Sequence, residues 1–269
     1  MMTSFEDARS DVVWQMFVRT ADENYISARG CFRRGLAFDY HWLAVHSLEK
    51  YMKGVLLLNG RSSKGYGHEI VKLFREVVKI GGELVLDRLD APDQWQRHWH
   101  SEMVSDYLER LYRNGNPHNR YDEGGYSALP EDLLKLDRVA FAVRRLCVDL
   151  DSSCRFGSAR DWKAHLRGNP SEWRMGPGTL EELANAAEPR GARYVEFFNW
   201  NLSFAPPDFN HEPNPPTLGS SNPSLYLRVF DPVKNGDEVQ VQVAKRVARW
   251  ALKNLILSKE TEQRLRDVC

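Results

Sequence analysis

The stretch RLYRNGNPHNRYDEGGY, residues 110–126, places Arg113 five and Asn114 four residues ahead of His118, with Arg120 two residues behind it and Tyr121 and Asp122 following. A guanidinium can hold two phosphate oxygens at once, and an imidazole titrates near neutral pH, where it can take or give a proton. Such a set suits a site that grips or cleaves a phosphodiester. The same residues also suit a polar loop between two helices, and both readings stay open here.

Other clusters are thinner. His98 and His100 in RHWH are two apart but have no Asp, Glu or Cys at ligand spacing. The segment reads as a run into a helix, and no metal site is expected. Arg33-Arg34 and Arg144-Arg145 can add phosphate contacts, although such pairs usually solvate a helix face. No glycine-rich phosphate loop, nucleophile elbow or paired-carboxylate signature is present, so no cofactor is expected.

Helices must carry these residues. Trp14, Phe17, Ala21, Tyr25 and Ala28 recur at helical spacing, and CFRRG then punctuates the chain. The next segment has two apolar rows, one of Tyr40, Ala44, Ser47, Tyr51, Val55 and Leu58, the other of Val45, Leu48, Met52 and Leu56. So wide a stripe marks the buried centre of a bundle, ended by Asn59-Gly60. GHEIVKLFREVVKI is a third helix. A fourth starts near Ser101, and a fifth has Pro130 in its first turn with Glu131 and Asp132 behind. Leu133, Leu136, Val139, Val143, Leu146 and Leu150 form its face.

Beyond about residue 155 the composition changes. A capping box is expected at Thr179 with Glu182. Six of the thirteen prolines lie between Pro206 and Pro223, which rules out regular ladders there. SLYLRVF reads as a single strand, and a terminal helix is expected over about 240–258. Trp162, Trp173 and Trp200 suggest that this extension packs on the rest. The expected organisation is a helical domain over 1–155 and a docked, loop-rich extension over 156–269.

The bulk numbers agree with a folded domain. A chain of 269 residues with 37 acidic and 37 basic side chains buries a real core and carries no global basic field. Cys31, Cys147, Cys154 and Cys269 form no C-x-x-C pair. No secretory segment opens the chain and no apolar run approaches the roughly 20 residues of a membrane span. The reading is cytoplasmic, with no membrane partner.

AVHSLEKYMKGVLLLNG followed by GHEIVKL resembles the second and third helices of the HEPN superfamily. The residues concerned are Ala44, His46, Glu49, Lys50, Lys53, Gly54, Leu56 and Leu57, then His68 and Glu69. ISARGCFRRGLAFDYHWLA fits the first helix and turn, and the likeness covers about residues 1–155. It implies an all-α bundle of four to five helices that binds RNA or a nucleotide in a stress, toxin–antitoxin or defence setting. Read without the family, Glu49 and Lys53 are an i, i+4 pair, Lys50 and Lys53 a solvated face, Gly54 a close helix contact, and His68 a cap or packed ring.

Many HEPN proteins are metal-independent endoribonucleases with an Arg, often followed by Asn, a short spacer and then His. The resemblance implies Arg113, Asn114 and His118 as catalytic residues, with sites drawn from two subunits of a homodimer. Members without that signature carry Arg-Tyr before the last helix. In that register Arg120 and Tyr121 bind phosphate or nucleotide, joined by His46, Lys50 and Lys53, and His118 is incidental. The resemblance further implies a cognate, nucleotidyltransferase-like antitoxin. A third reading is a non-catalytic dimerisation or docking module.

Overall fold

The computed structural model describes residues 5–95, 97–150, 160–185 and 191–269, so the expected boundary at 155/156, like Cys154, lies outside the described residues. The protein is all-α, with 61% helix and 2% strand. α1 (Phe5–Val13), a π-helical turn (Trp14–Arg19) and α2 (Thr20–Arg33) form one continuous arm. α3 (Ala37–Leu58) follows after Gly35, then α4 (Ile70–Gly81). Tyr40, Ala44, Leu48, Tyr51, Met52 and Val55 of α3 are fully buried. Its two apolar rows let it meet α2, α4, α5 (Val104–Gly115) and α6 (Asp132–Arg144) at once.

Several boundaries differ from expectation. The fourth helix begins at Val104, not Ser101, because Glu102–Met103 (β2) pairs antiparallel with Arg88–Leu89 (β1). Glu102 is thereby turned to Arg110 and Lys135, each 2.7 Å away. The fifth helix begins after Glu131 and ends at Arg144, leaving Leu146 and Leu150 buried beyond it. Residues 97–100 have no helical structure.

The later chain, which opens with α7 (Trp162–Gly168) and includes α9 (Ala192–Phe198), joins the same core. Leu166, Trp173, Met175, Leu180, Phe197, Phe198, Phe204 and Leu218 belong to the cluster that includes α2, α3 and α6. Arg144 and Arg145 therefore do not solvate a surface. Arg144 is fully buried, pairing with Asp22 (2.8 Å) and with Glu181 (2.5 Å), and Arg145 donates to the carbonyls of Leu166, Asn169 and Pro170. A buried guanidinium needs such partners, because the charge cannot stay desolvated and unpaired. Arg33 pairs with Glu196 and Glu212.

The capping box at Thr179 does not form. α8 (Thr179–Ala184) has Gly178 at its N-cap, Thr179 donates to Glu23, and Glu182 pairs with Arg19. Long-range partners outcompete the local motif. SLYLRVF is not a strand either. Tyr226–Phe230 is a π-helical turn running into α10 (Asp231–Asn235). Val229 is buried with Ala248 and Ala251 of α11 (Glu238–Asn254) and Leu265 of α12 (Lys259–Val268), a small second core. α11 ends at Asn254, short of the expected 258, and α12 lies beyond it. The capping box that does form is Asp237 with Gln240, at the start of α11. As its prolines require, the stretch over 206–223 holds no helix.

Candidate functional site

α5 ends in the opening stretch. Arg113 and Asn114 occupy its last turn, and Gly115 closes it where an added Cβ would meet the carbonyl oxygen of His41 at 2.5 Å. Only glycine lets α5 approach α3 so closely. A 3-10 turn, Pro117–Tyr121, follows, capped by Asn116, whose side chain accepts from the Asn119 N–H at 3.1 Å.

Asn119 locks the loop. Its amide donates to the carbonyls of Asn114 (2.7 Å) and Gly125 (2.6 Å), and its oxygen accepts from Gly124 N–H (2.7 Å). Asn114 is buried, donating to the Ser127 carbonyl (2.7 Å) and lying 3.3 Å from His41 Nε2. It thus holds the turn, with its amide committed inward. Burial pulls His41 down to about 4, against the opposing bond to the Ala37 carbonyl at 2.8 Å.

Arg113 and His118 project outward instead. They line one cavity of about 650 Å³ together with His68, Tyr112, Glu123 and, from the late chain, Arg264. His118 is 55% exposed with Nδ1 4.0 Å from Glu123. Glu123 in turn accepts from the Ser258 N–H (3.0 Å) and hydroxyl, tying the loop to the start of α12. Burial would raise the Glu123 carboxyl, but the Ser258 and Thr261 hydrogen bonds outweigh it and hold it below the usual range. Arg264 stacks on Phe230, 4.3 Å from the ring centroid. The side chains of Arg120 and Tyr121 lie outside the described residues.

Of the residues singled out on α3, His46 and Lys53 converge on Glu49. His46 Nδ1 and His68 Nδ1 lie 3.4 and 2.9 Å from Glu49 Oε2, and Lys53 donates to Oε1 at 2.6 Å and to the Gly67 carbonyl at 2.8 Å. Burial pushes Glu49 up, but the hydrogen bonds from His46, Lys53 and His68 outweigh it and hold the carboxyl at about 2. Lys50 points elsewhere, toward Asn24 at 3.5 Å. His68 belongs to both groups, so the Glu49 cluster borders the cavity. Among the described residues, His98 and His100 join no such cluster; their backbone carbonyls accept from Trp95 and Lys135.

Sequence reasoning missed Arg264, Glu123 and Asn119. Nothing in LSKETEQRLRDVC marks Arg264 as facing residues far upstream. Asn119 and Glu123 sat inside the quoted stretch without a pattern of their own.

Helices gathered around α3, with a locked polar loop at the end of α5, define an all-α domain with a loop-borne polar site. More particularly, residues 14–132 match the family model of the HEPN domain. Arg113 and His118 fall inside the match, and Arg264 outside it. No curated protein and no solved structure matches the chain. Among the described residues, no helix is long and apolar enough to cross a membrane.

Proposed function

We propose that the protein binds RNA, or a nucleotide, by its phosphates in the cavity lined by Arg113, His118, His68 and Arg264. One observation carries the reading: two guanidinium groups and two imidazoles, drawn from distant parts of the chain, line a single cavity beside two carboxylates, Glu260 and Glu123, the latter already bound by Ser258. Anionic oxygens are the complementary ligand, since guanidinium forks match phosphate geometry. The homodimer and a nucleotidyltransferase-like antitoxin partner, in a defence or stress setting, belong to this proposal as what a HEPN domain implies.

A second reading, cleavage of RNA, is favoured by the exposed His118 on the same cavity as Arg113. The RNA 2′-oxygen would attack phosphorus and the bond to the 5′-oxygen would break. An imidazole would take the 2′-hydroxyl proton, and a second proton donor would protonate the leaving 5′-oxygen. Arg113 would hold the phosphorane charge.

The test is binding of 5′-labelled single-stranded RNA in EDTA, with the products resolved on a gel. Arg113→Ala and Arg264→Ala are each expected to weaken binding by about tenfold, and to flatten the salt dependence by roughly one phosphate contact. Unchanged affinity in both would defeat the binding reading. Cleavage that persists in EDTA and vanishes in His118→Ala, leaving a 2′,3′-cyclic phosphate, would establish the nuclease. Intact RNA with folded wild type would exclude it.

A further inference from the structure

The Glu49 cluster has the make-up of a metal site. Its donors come from two places: His46 and Glu49 are three apart on α3, which sets them on one face, and His68 comes from the loop before α4. No two of the three donor atoms are more than 4.8 Å apart. Around a tetrahedral zinc with bonds of about 2.0–2.1 Å, neighbouring donors lie about 3.3 Å apart. The two imidazole nitrogens stand 3.4 and 2.9 Å from Glu49 Oε2, close to that spacing.

The surroundings hold the donors in place. The Glu49 side chain is 6% exposed, so its carboxylate is fixed. Trp42 packs edge-on against His46 with the ring centroids 4.0 Å apart. Lys53 occupies Oε1, the oxygen turned away from the imidazoles, and also binds the Gly67 carbonyl beside His68. It therefore orients both the carboxylate and the loop that brings the third donor, as the hydrogen-bonded outer partners of metal ligands do. Its ammonium offsets the carboxylate charge, which disfavours hard ions that depend on several carboxylates. Two imidazoles favour zinc, cobalt or nickel over magnesium or calcium.

We propose that His46, Glu49 and His68 bind one divalent transition-metal ion, zinc by preference, through the two Nδ1 atoms and Glu49 Oε2, with a fourth position left for water. Binding requires the proton that each imidazole turns to Glu49 on Nδ1 to move to Nε2, which leaves the ring neutral and Nδ1 free to ligate. Because His68 also lines the cavity, an ion here would sit at its border and fix that ring. The inference does not rest on RNA binding, and its test contains no RNA.

Chelator-treated full chain would be titrated with zinc(II) by calorimetry and with cobalt(II) by visible absorption. One equivalent and the intense bands of tetrahedral cobalt are expected from the wild type. His68→Ala and Glu49→Gln should weaken binding by at least about tenfold, whereas His98→Ala should leave it unchanged. Lys53→Met, which removes only the positioning residue, should weaken it while preserving the cobalt spectrum. His68 is 60% exposed, so His68→Ala tests the site without threatening the fold, and a melting curve checks this. No saturable binding by folded wild type, or equal affinity in His68→Ala, would overturn the proposal.

Discussion

His41 and Asn114 hold the turn that carries the candidate site. His41 Nδ1 faces the Ala37 carbonyl and Nε2 faces the Asn114 amide, which must donate. The neutral ring with its proton on Nδ1 satisfies both, and a proton on Nε2 would set donor against donor. With its folded value near 4 and an ordinary value of 6.5, the unfolded chain binds this proton first. Stability from this group is therefore full above about 6.5, falls as the pH drops, and is lost by about 4. That loss amounts to roughly 3 kcal/mol at the bottom of the window. Denaturant midpoints measured between pH 7 and 4 should fall for wild type, with a shallower slope in His41→Gln. Arg113 and His118 were legible in the sequence because arginine and histidine at close spacing stand out by type. Asn119, which sets their loop, was not, because its three amide bonds exist only once the backbone has turned.

The elements were legible wherever one face meets one neighbour. α3 declared its place through two apolar rows, and α4 through Ile70, Leu73, Phe74, Val77 and Ile80. Reading failed where a distant partner decided the outcome. Thr179 had a local cap available and instead turned to Glu23, and Tyr226–Phe230 alternates enough to resemble a strand but packs on α11 and α12. The join of α5 to α3 tests the same idea. Gly115→Ala would drive a methyl into the His41 carbonyl, forcing the end of α5 outward at a cost of roughly 1–3 kcal/mol. Chemical denaturation should show that loss, and RNA affinity should fall with it because Arg113 and His118 move with the turn.

At the scale of the molecule, Arg144 fastens the helical bundle to the later chain. Its guanidinium bridges Asp22 of α2 and Glu181 of α8 and also donates to the Trp173 carbonyl at 3.0 Å. Arg144→Ala would leave two carboxylates buried without their counter-charge, at a cost of about 3–5 kcal/mol. Arg144→Lys should recover only part, since an ammonium cannot serve three partners from one plane. Urea unfolding of the three proteins would rank them, and equal stability of wild type and Arg144→Ala would refute the fastening role. The sequence presented Arg144 as one of a charged pair, because nothing local reveals that Glu181 will cover it.

The cavity draws its floor from the turn after α5 and one wall from the start of α12, joined where Glu123 meets Ser258. On the ribosome those parts do not appear together. At about 5–20 residues per second, Arg264 is made on the order of ten seconds after Arg113. In that interval the bundle can gather around α3 while the cavity still lacks its second guanidinium and its far side. A nascent chain, surrounded by ribosomal and messenger RNA, would thus carry only part of the cavity proposed to hold phosphates until synthesis has passed α12.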